Sequence, residues 1–572
     1  MEHEMSVNSE DAKAVIKELQ LHDICPRCIL RVLGVKTQWA YRKAEETIAG
    51  ILSMATIESK TSTDGEDKSD AIMEDNPEDN KQDKLSDTKQ NETTSKEDSK
   101  QESSVDVEAV KGHVILEKEQ PTSATEPQED QEDDKPLCGL CLGILQGLCD
   151  KECTHRIADQ IIDQHYQFCS FMMAVTLPLQ LFIRENSLWI HMSETLKQPF
   201  RNIPSIKEVY KWMAGPLLGE ALDVHFHPKS PFEVMVTMKH DESEREVELL
   251  LEKHGVITSA AEPPKKKQKG PPRRKKMKMY HAADVAPTRQ QVLKAMKEMS
   301  HKLFKELFPC PPKSSSVPCS IEVMCSHGSI YIAGRYMKYS RKLSQSPWVV
   351  DGQRKTESSV EELICEHTKA TLQAEDYKFS SSGREDVDVR TLGRGRPFVV
   401  EFINPRMSSL SVEQLKEITK VVNSNTIEVK IRDLQMITRD QTSLLKEGEE
   451  EKTKSYSALI WVEKEVQEED LKFLSEIKEL TLKQKTPIRV LHRRPLATRE
   501  RVVHSMNYEF IDSHHFKLVL NTQAGTYIKE FVHGDFGRTQ PNLGVLLKTD
   551  ADILELDVEA VNLDWPPTIE TD

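Results

Sequence analysis

Apolar residues recur every three or four positions over residues 12–21 and 39–54, so the chain is predicted to begin with amphipathic helices. Phe232-Glu-Val-Met-Val-Thr-Met238 alternates apolar and polar like a half-buried strand. Residues 288–308 return to helical spacing. Toward the C-terminus, strand-like and helix-like stretches alternate between Gly-punctuated loops rich in Arg and Lys. The pattern reads as α+β, with no internal repeat. The most apolar run, residues 168–183, is broken by Pro178 and Gln180 and is too short to span a bilayer, so no membrane partner is expected.

Two stretches show no periodicity, and composition explains both. Residues 58–136 carry 25 Asp/Glu against 10 Lys, a net of −15 out of the chain's −16, and no Phe, Trp or Tyr. Such a segment buries too little apolar surface to offset its ordering entropy and is expected to be disordered. The remainder is close to neutral, which leaves room for local basic patches. The second stretch, residues 263–278, holds Lys265-Lys-Lys-Gln-Lys269 and Arg273-Arg-Lys-Lys276. It reads as a linker, and its basic clusters suit either a nuclear-import signal or contact with an RNA backbone. The chain starts Met-Glu-His-Glu-Met, acidic and polar, without the pattern of a secretory signal. A monomer distributed between nucleus and cytoplasm is expected.

Eleven cysteines in such a chain point to metal before disulfides. Cys25-Pro-Arg-Cys28 and Cys138-Gly-Leu-Cys141 flank the acidic insert. Each spacing lets two sulfurs turn to one ion, so four thiolates can close a structural Zn²⁺ site with no open position. Cys149 and Cys153 read as further thiols outside that set.

The densest chemistry lies in Ser381-Ser-Gly-Arg-Glu-Asp-Val-Asp-Val-Arg-Thr-Leu-Gly-Arg-Gly-Arg-Pro-Phe398, which runs into an apolar strand at residues 398–403. Asp386 and Asp388 sit among Arg384, Arg390, Arg394 and Arg396. Guanidinium groups keep a nearby carboxylate ionised, and they bind phosphate by paired hydrogen bonds. From the residues alone, this is either an anion site with a carboxylate or a surface ion-pair network.

Gly383-Arg-Glu-Asp386 resembles the Gly-Arg-Thr-Asp element around the catalytic Asp of pseudouridine synthases, with Glu385 in place of the usual Thr. The longer run resembles the pseudouridine synthase 10 family, the archaeal and eukaryotic tRNA pseudouridine-54/55 synthases. Gly334-Arg-Tyr-Met-Lys-Tyr-Ser-Arg-Lys-Leu343, Pro347-Trp-Val-Val-Asp-Gly352, Thr486-Pro-Ile-Arg-Val-Leu-His-Arg-Arg-Pro495 and Gly525-Thr-Tyr-Ile-Lys-Glu-Phe-Val-His-Gly534 are similar to further family segments in the same order. The paired CxxC knuckles fit that family's accessory domain, which carries an RNA-binding THUMP region.

The resemblance implies a tRNA-modifying isomerase without organic cofactor. Asp386 is then the nucleophile and Asp388 a structural partner. Tyr456 stacks on the target base, and Ile528 packs beside the uracil. Lys529, with Arg384 nearby, keeps Asp386 charged. Arg335, Lys338, Arg341, His492, Arg493 and Arg494 are expected to hold phosphates of tRNA or other structured RNA. The implied layout is a split zinc-stapled module at 1–57 and 137–157 around the acidic insert. A THUMP-like region at 158–258, the basic linker at 259–282 and a connecting segment at 283–345 follow. The catalytic domain, a mixed or antiparallel sheet with flanking helices, is expected at 346–572. The competing reading is a non-catalytic RNA-binding factor in small-RNA (microRNA) processing, which needs the basic clusters but not Asp386. No P-loop or Gly-x-Gly-x-x-Gly loop supports a nucleotide-dependent enzyme.

Overall fold

The computed structural model describes residues 10–58, 136–196, 202–254, 286–446, 452–492 and 494–569. The acidic insert, its end residues apart, and the basic linker lie outside them. Among the described residues, no helix is long and apolar enough to cross a membrane.

The first part of the fold is a four-stranded sheet in the order β2-β1-β3-β4. Its strands are β1 (Ser170–Thr176), β2 (His225–Phe226), β3 (Phe232–Lys239) and β4 (Ser320–His327). β1 runs parallel to β2 and β3, and β3 is antiparallel to β4. The alternation read at β3 is borne out: Phe232, Val234, Val236 and Met238 all face the core. The helices Lys151–Ile162 and Ile206–Leu222 begin on side-chain caps, Asp150 Oδ1 accepting from the Cys153 amide at 2.8 Å and Ser205 forming a capping box with Glu208. The N-terminal helices Glu10–Gln20 and Pro26–Val32 join the same apolar core, which encloses the paired cysteines.

Two expected helices are each divided. The stretch 39–54 breaks at Lys43 into Gln38–Arg42 and Ala44–Glu58. The stretch 288–308 becomes Arg289–Glu298 and His301–Leu307, because Met299 and Ser300 take extended backbone angles and the Ser300 hydroxyl caps the second helix.

The second part is a ten-stranded sheet. Its path is β10 (Val429–Ile437), β5 (Ile330–Lys338), β9 (Val389–Ile403), β16 (Ala551–Val561), β11 (Lys454–Val462), β14 (His515–Thr522), β13 (Thr498–Asp512), β12 (Lys478–Lys485) and β15 (Thr539–Gln540), with β8 (Asp376–Ser381) paired to β9. All pairs are antiparallel except β9 with β16. A two-stranded ribbon, β6 (Val349–Val350) and β7 (Gln353–Arg354), lies outside the sheet. The large sheet begins at β5, ahead of the expected boundary at residue 346, because β5 is hydrogen-bonded between β9 and β10. Only Gly328 and Ser329 separate β4 of the small sheet from β5 of the large one.

Candidate active site

β8 and β9 pair in register from Asp376↔Ile403 to Ser381↔Phe398, and the loop 382–388 bridges them. Gly383 takes φ +91°, and a Cβ there would stand 2.8 Å from Lys454 Nζ, so the turn requires glycine.

Side-chain donors hold the carbonyls of this loop one after another. Arg396 Nη1 donates to Ser382 O at 2.8 Å and Gln345 Nε2 to Gly383 O at 3.1 Å. Lys338 Nζ donates to Asp386 O at 3.2 Å, Val387 O at 2.8 Å and Leu343 O at 2.8 Å. Arg341 Nη1 donates to Asp388 O at 3.0 Å. Burial pushes the Lys338 ammonium down to about 8.

Glu385 explains its departure from the usual Thr. Its carboxylate is fully buried, 2.8 Å from Arg396 Nε, and accepts from the Tyr336 hydroxyl at 2.8 and 2.9 Å. Gln345 Nε2 donates to the same hydroxyl at 2.7 Å. The buried acid and base compensate each other beneath the loop.

Above this floor stands Asp386, its side chain 30 % exposed. Arg489 Nη1 donates to Asp386 Oδ2 at 2.6 Å. The same guanidinium turns its other nitrogens to Glu530, Nε to Oε1 at 2.6 Å and Nη2 to Oε2 at 3.2 Å. Glu530 lies on the helix Ile528–His533, and its carboxylate is only 2 % exposed. Arg489 therefore has two carboxylate partners, and burial, which works against its charge, is outweighed by them: its basicity is raised. That residue was missed from the sequence. It sits inside Thr486-Pro-Ile-Arg-Val-Leu-His-Arg-Arg-Pro495, among basic neighbours read as phosphate ligands.

Lys529 does reach the site, but its closer partner is Asp388, at 2.6 Å, with Asp386 Oδ2 at 3.9 Å. Burial opposes the charge on Asp388, yet Lys529 holds its carboxyl below the usual range. Arg489 thus stands closer to Asp386 than Lys529 does, and Lys529 still lies within ion-pair distance of it. Arg384 is exposed, and its charge acts on Glu361.

Tyr456 is half-buried on β11, in one cross-sheet row with Val558 of β16 and Thr391 of β9. Burial pushes its phenol up, and the nearby Arg396 charge opposes that. Ile528 is buried in the apolar core at the start of the helix that bears Lys529. The Gln484 side chain fixes the approach to that helix, donating to Tyr527 O and accepting from Tyr527 N, each at 3.0 Å.

The expected phosphate ligands divide. Arg335 is buried, with its guanidinium on Gly395 O and Leu563 O, and Lys338 is buried under the loop. Arg341 is half-buried, and two carboxylates, Glu555 and Asp557, hold its Nη2. All three are engaged by backbone carbonyls or carboxylates of the fold itself. His492 and Arg494 are exposed on the segment between β12 and β13, and Arg493 lies outside the described residues. Thr486 closes the base of that segment, its amide donating to Ala497 O at 2.8 Å.

Away from this site, Cys25, Cys28, Cys138 and Cys141 are all buried with their sulfurs within 4.8 Å of one another. Arg31 Nη1 stands 3.9 Å from Cys28 Sγ. Cys149 and Cys153 are buried outside this group.

The family model "Pus10, C-terminal" matches residues 331–562, and "Eukaryotic Pus10, N-terminal" matches residues 138–325. The junction between them falls where β4 gives way to β5. The tRNA pseudouridine synthase Pus10 of Homo sapiens is 46% identical over 440 residues, 76% of this chain and 80% of that protein. The tRNA pseudouridine synthase Pus10 of Mus musculus is 41% identical over 569 residues, 98% of this chain and 99% of that protein. The tRNA pseudouridine synthase Pus10 of Thermofilum pendens is 38% identical over 234 residues, 41% of this chain and 52% of that protein.

Proposed function

Because the chain belongs to the Pus10 family, we propose that it isomerises uridine to pseudouridine at position 54, position 55 or both in the TΨC arm of tRNA, with Asp386 as nucleophile. The observation that carries this reading is the Asp386–Arg489–Glu530 chain, in which one guanidinium grips an accessible carboxylate and a buried one. Asp386 attacks C1′ or assists cleavage of the glycosidic bond. Uracil detaches from C1′ at N1, turns and rejoins the sugar through C5; the C5 proton is then lost and N1 takes one up. No electron or group donor enters this sequence.

The target uridine must leave its stack to meet Asp386. Tyr456 then stacks on the freed ring, and Ile528 supplies an apolar wall beside it. His492 and Arg494, on the exposed segment that also carries Arg489, take the phosphates in place of Arg335, Lys338 and Arg341. The small sheet with its helices acts as the THUMP-type RNA-binding part. The four buried thiols fit a structural Zn²⁺, which would fasten Pro26–Val32 to the turn at 138–141.

The test is incubation of the full chain with an unmodified tRNA transcript and mapping of pseudouridine. Conversion confined to positions 54 and 55 supports the reading. Conversion elsewhere refutes the positional assignment, and no conversion refutes the function.

A further inference from the structure

A second convergence of ligand atoms lies outside both the active site and the four cysteines. Glu18 ends the helix Glu10–Gln20, His22 follows it in the next turn, and His191 lies on the helix Gln180–Thr195. One ligand atom from each of the three lies within 4.8 Å of the other two. Glu18 Oε1 stands 2.8 Å from His191 Nε2 and 3.3 Å from His22 Nε2. The two imidazoles meet edge to face, with centroids 4.9 Å apart.

Ligands bound to zinc at about 2.0–2.1 Å stand roughly 3.3 Å apart at the tetrahedral angle. The His22 distance of 3.3 Å matches that spacing, and the His191 distance of 2.8 Å is about 0.5 Å short of it, so a metal requires Glu18 and His191 to part by about that much. Two imidazoles with one carboxylate select a borderline transition ion over Mg²⁺ or Ca²⁺. The side chains are 31 %, 20 % and 19 % exposed for His22, Glu18 and His191, so solvent reaches all three. The bland alternative is a carboxylate that simply accepts two imidazole hydrogen bonds. That alternative uses Oε1 for both and gives no reason for two like rings to point the same nitrogen at one spot.

We propose that Glu18, His22 and His191 form a second, three-ligand site for a divalent transition metal such as Zn²⁺. It ties the end of the helix Glu10–Gln20 to the helix Gln180–Thr195. Glu185 on that helix is already paired with Arg31, which in turn touches Cys28, so the two sites brace one helix from neighbouring turns. The inference does not rest on the pseudouridine synthase reading.

The experiment is titration of metal-stripped full-length protein with Co²⁺, followed by absorption and by metal content after dialysis. A thiolate-to-cobalt charge-transfer band reports the cysteines. A visible band without that feature reports the imidazole site. Two equivalents are expected for the unsubstituted chain. His22→Gln/His191→Gln should lose one equivalent and keep the charge-transfer band, and Glu18→Gln, which preserves shape and hydrogen bonding, should weaken the second equivalent at least about 10-fold, since even outer ligand partners are worth that much. Binding of cobalt by the unsubstituted chain through the cysteines alone overturns the proposal, whatever the variants do. A second equivalent unchanged in the variants overturns it as well.

Discussion

Arg489 divides its guanidinium between a half-exposed carboxylate and a buried one, and that division sets what a substitution should do. Arg489→Lys keeps the charge but loses the planar fork, so it cannot serve Asp386 and Glu530 together. Misplacing a catalytic group by about 1 Å can cost roughly 100-fold in rate. Arg489→Lys should lower kcat by that order while changing tRNA affinity little, as single-turnover assays with separate binding curves will show. An unchanged kcat would mean that the pairing is incidental. Lys338 makes a second prediction. Its three carbonyl partners use all three ammonium protons. With the folded group at about 8 against 10.5 for a free lysine, the unfolded chain binds more protons between those values. The contribution of Lys338 to stability therefore rises with pH across that window and is lost as pH falls through 8. Lys338→Met should flatten the rise, measured as urea unfolding on either side of pH 9, about the middle of the window. Equal slopes in both proteins would contradict the burial argument. The Asp and its charged surroundings were legible in the Gly383-Arg-Glu-Asp386 run, but the partners were not. Asp386 and Arg489 are 103 residues apart, and no local spacing records such a pair. The inward turn of Arg335 and Lys338 was hidden for a related reason: β5 is covered on both faces, so cations along it turn inward to backbone carbonyls.

Among the elements, the paired cysteines and the helices around them depend on one another. Four buried thiols without a metal would leave the turn at 138–141 and the helix Pro26–Val32 held by packing and by hydrogen bonds such as Arg27 Nη1 to Leu145 O and Arg184 Nη1 to Gly139 O. Cys138→Ser is expected to speed amide exchange in Glu10–Gln20 and Pro26–Val32 while leaving β11 and β14 protected, and chelation of the unsubstituted chain should do the same. Exchange unaffected by both treatments would show that the thiols need no ion. This element was readable because CxxC spacing is a local signal. The alternation at β3 was readable for the same reason. The divided helices were not, because a break such as that at Met299 and Ser300 depends on a hydroxyl cap that helical periodicity does not encode.

On the scale of the molecule, the α+β reading was legible in the mixture of strand-like and helix-like stretches, whereas the mixed or antiparallel sheet was expected only from the family resemblance. The exact boundary was not legible. β5 follows β4 after two residues but hydrogen-bonds into the other sheet, a choice made by partners 53 to 72 residues away in β9 and about 100 away in β10. That arrangement puts β5, β8 and β9 under one loop and brings the β12–β13 segment over it, so distant parts of the chain build one carboxylate site. The most direct test of that site is Asp386→Ala in full-length protein, with pseudouridine mapped on a tRNA transcript and binding of the same transcript measured in parallel. The predicted result is complete loss of pseudouridine with tRNA affinity largely retained; modification persisting in the purified variant would contradict it.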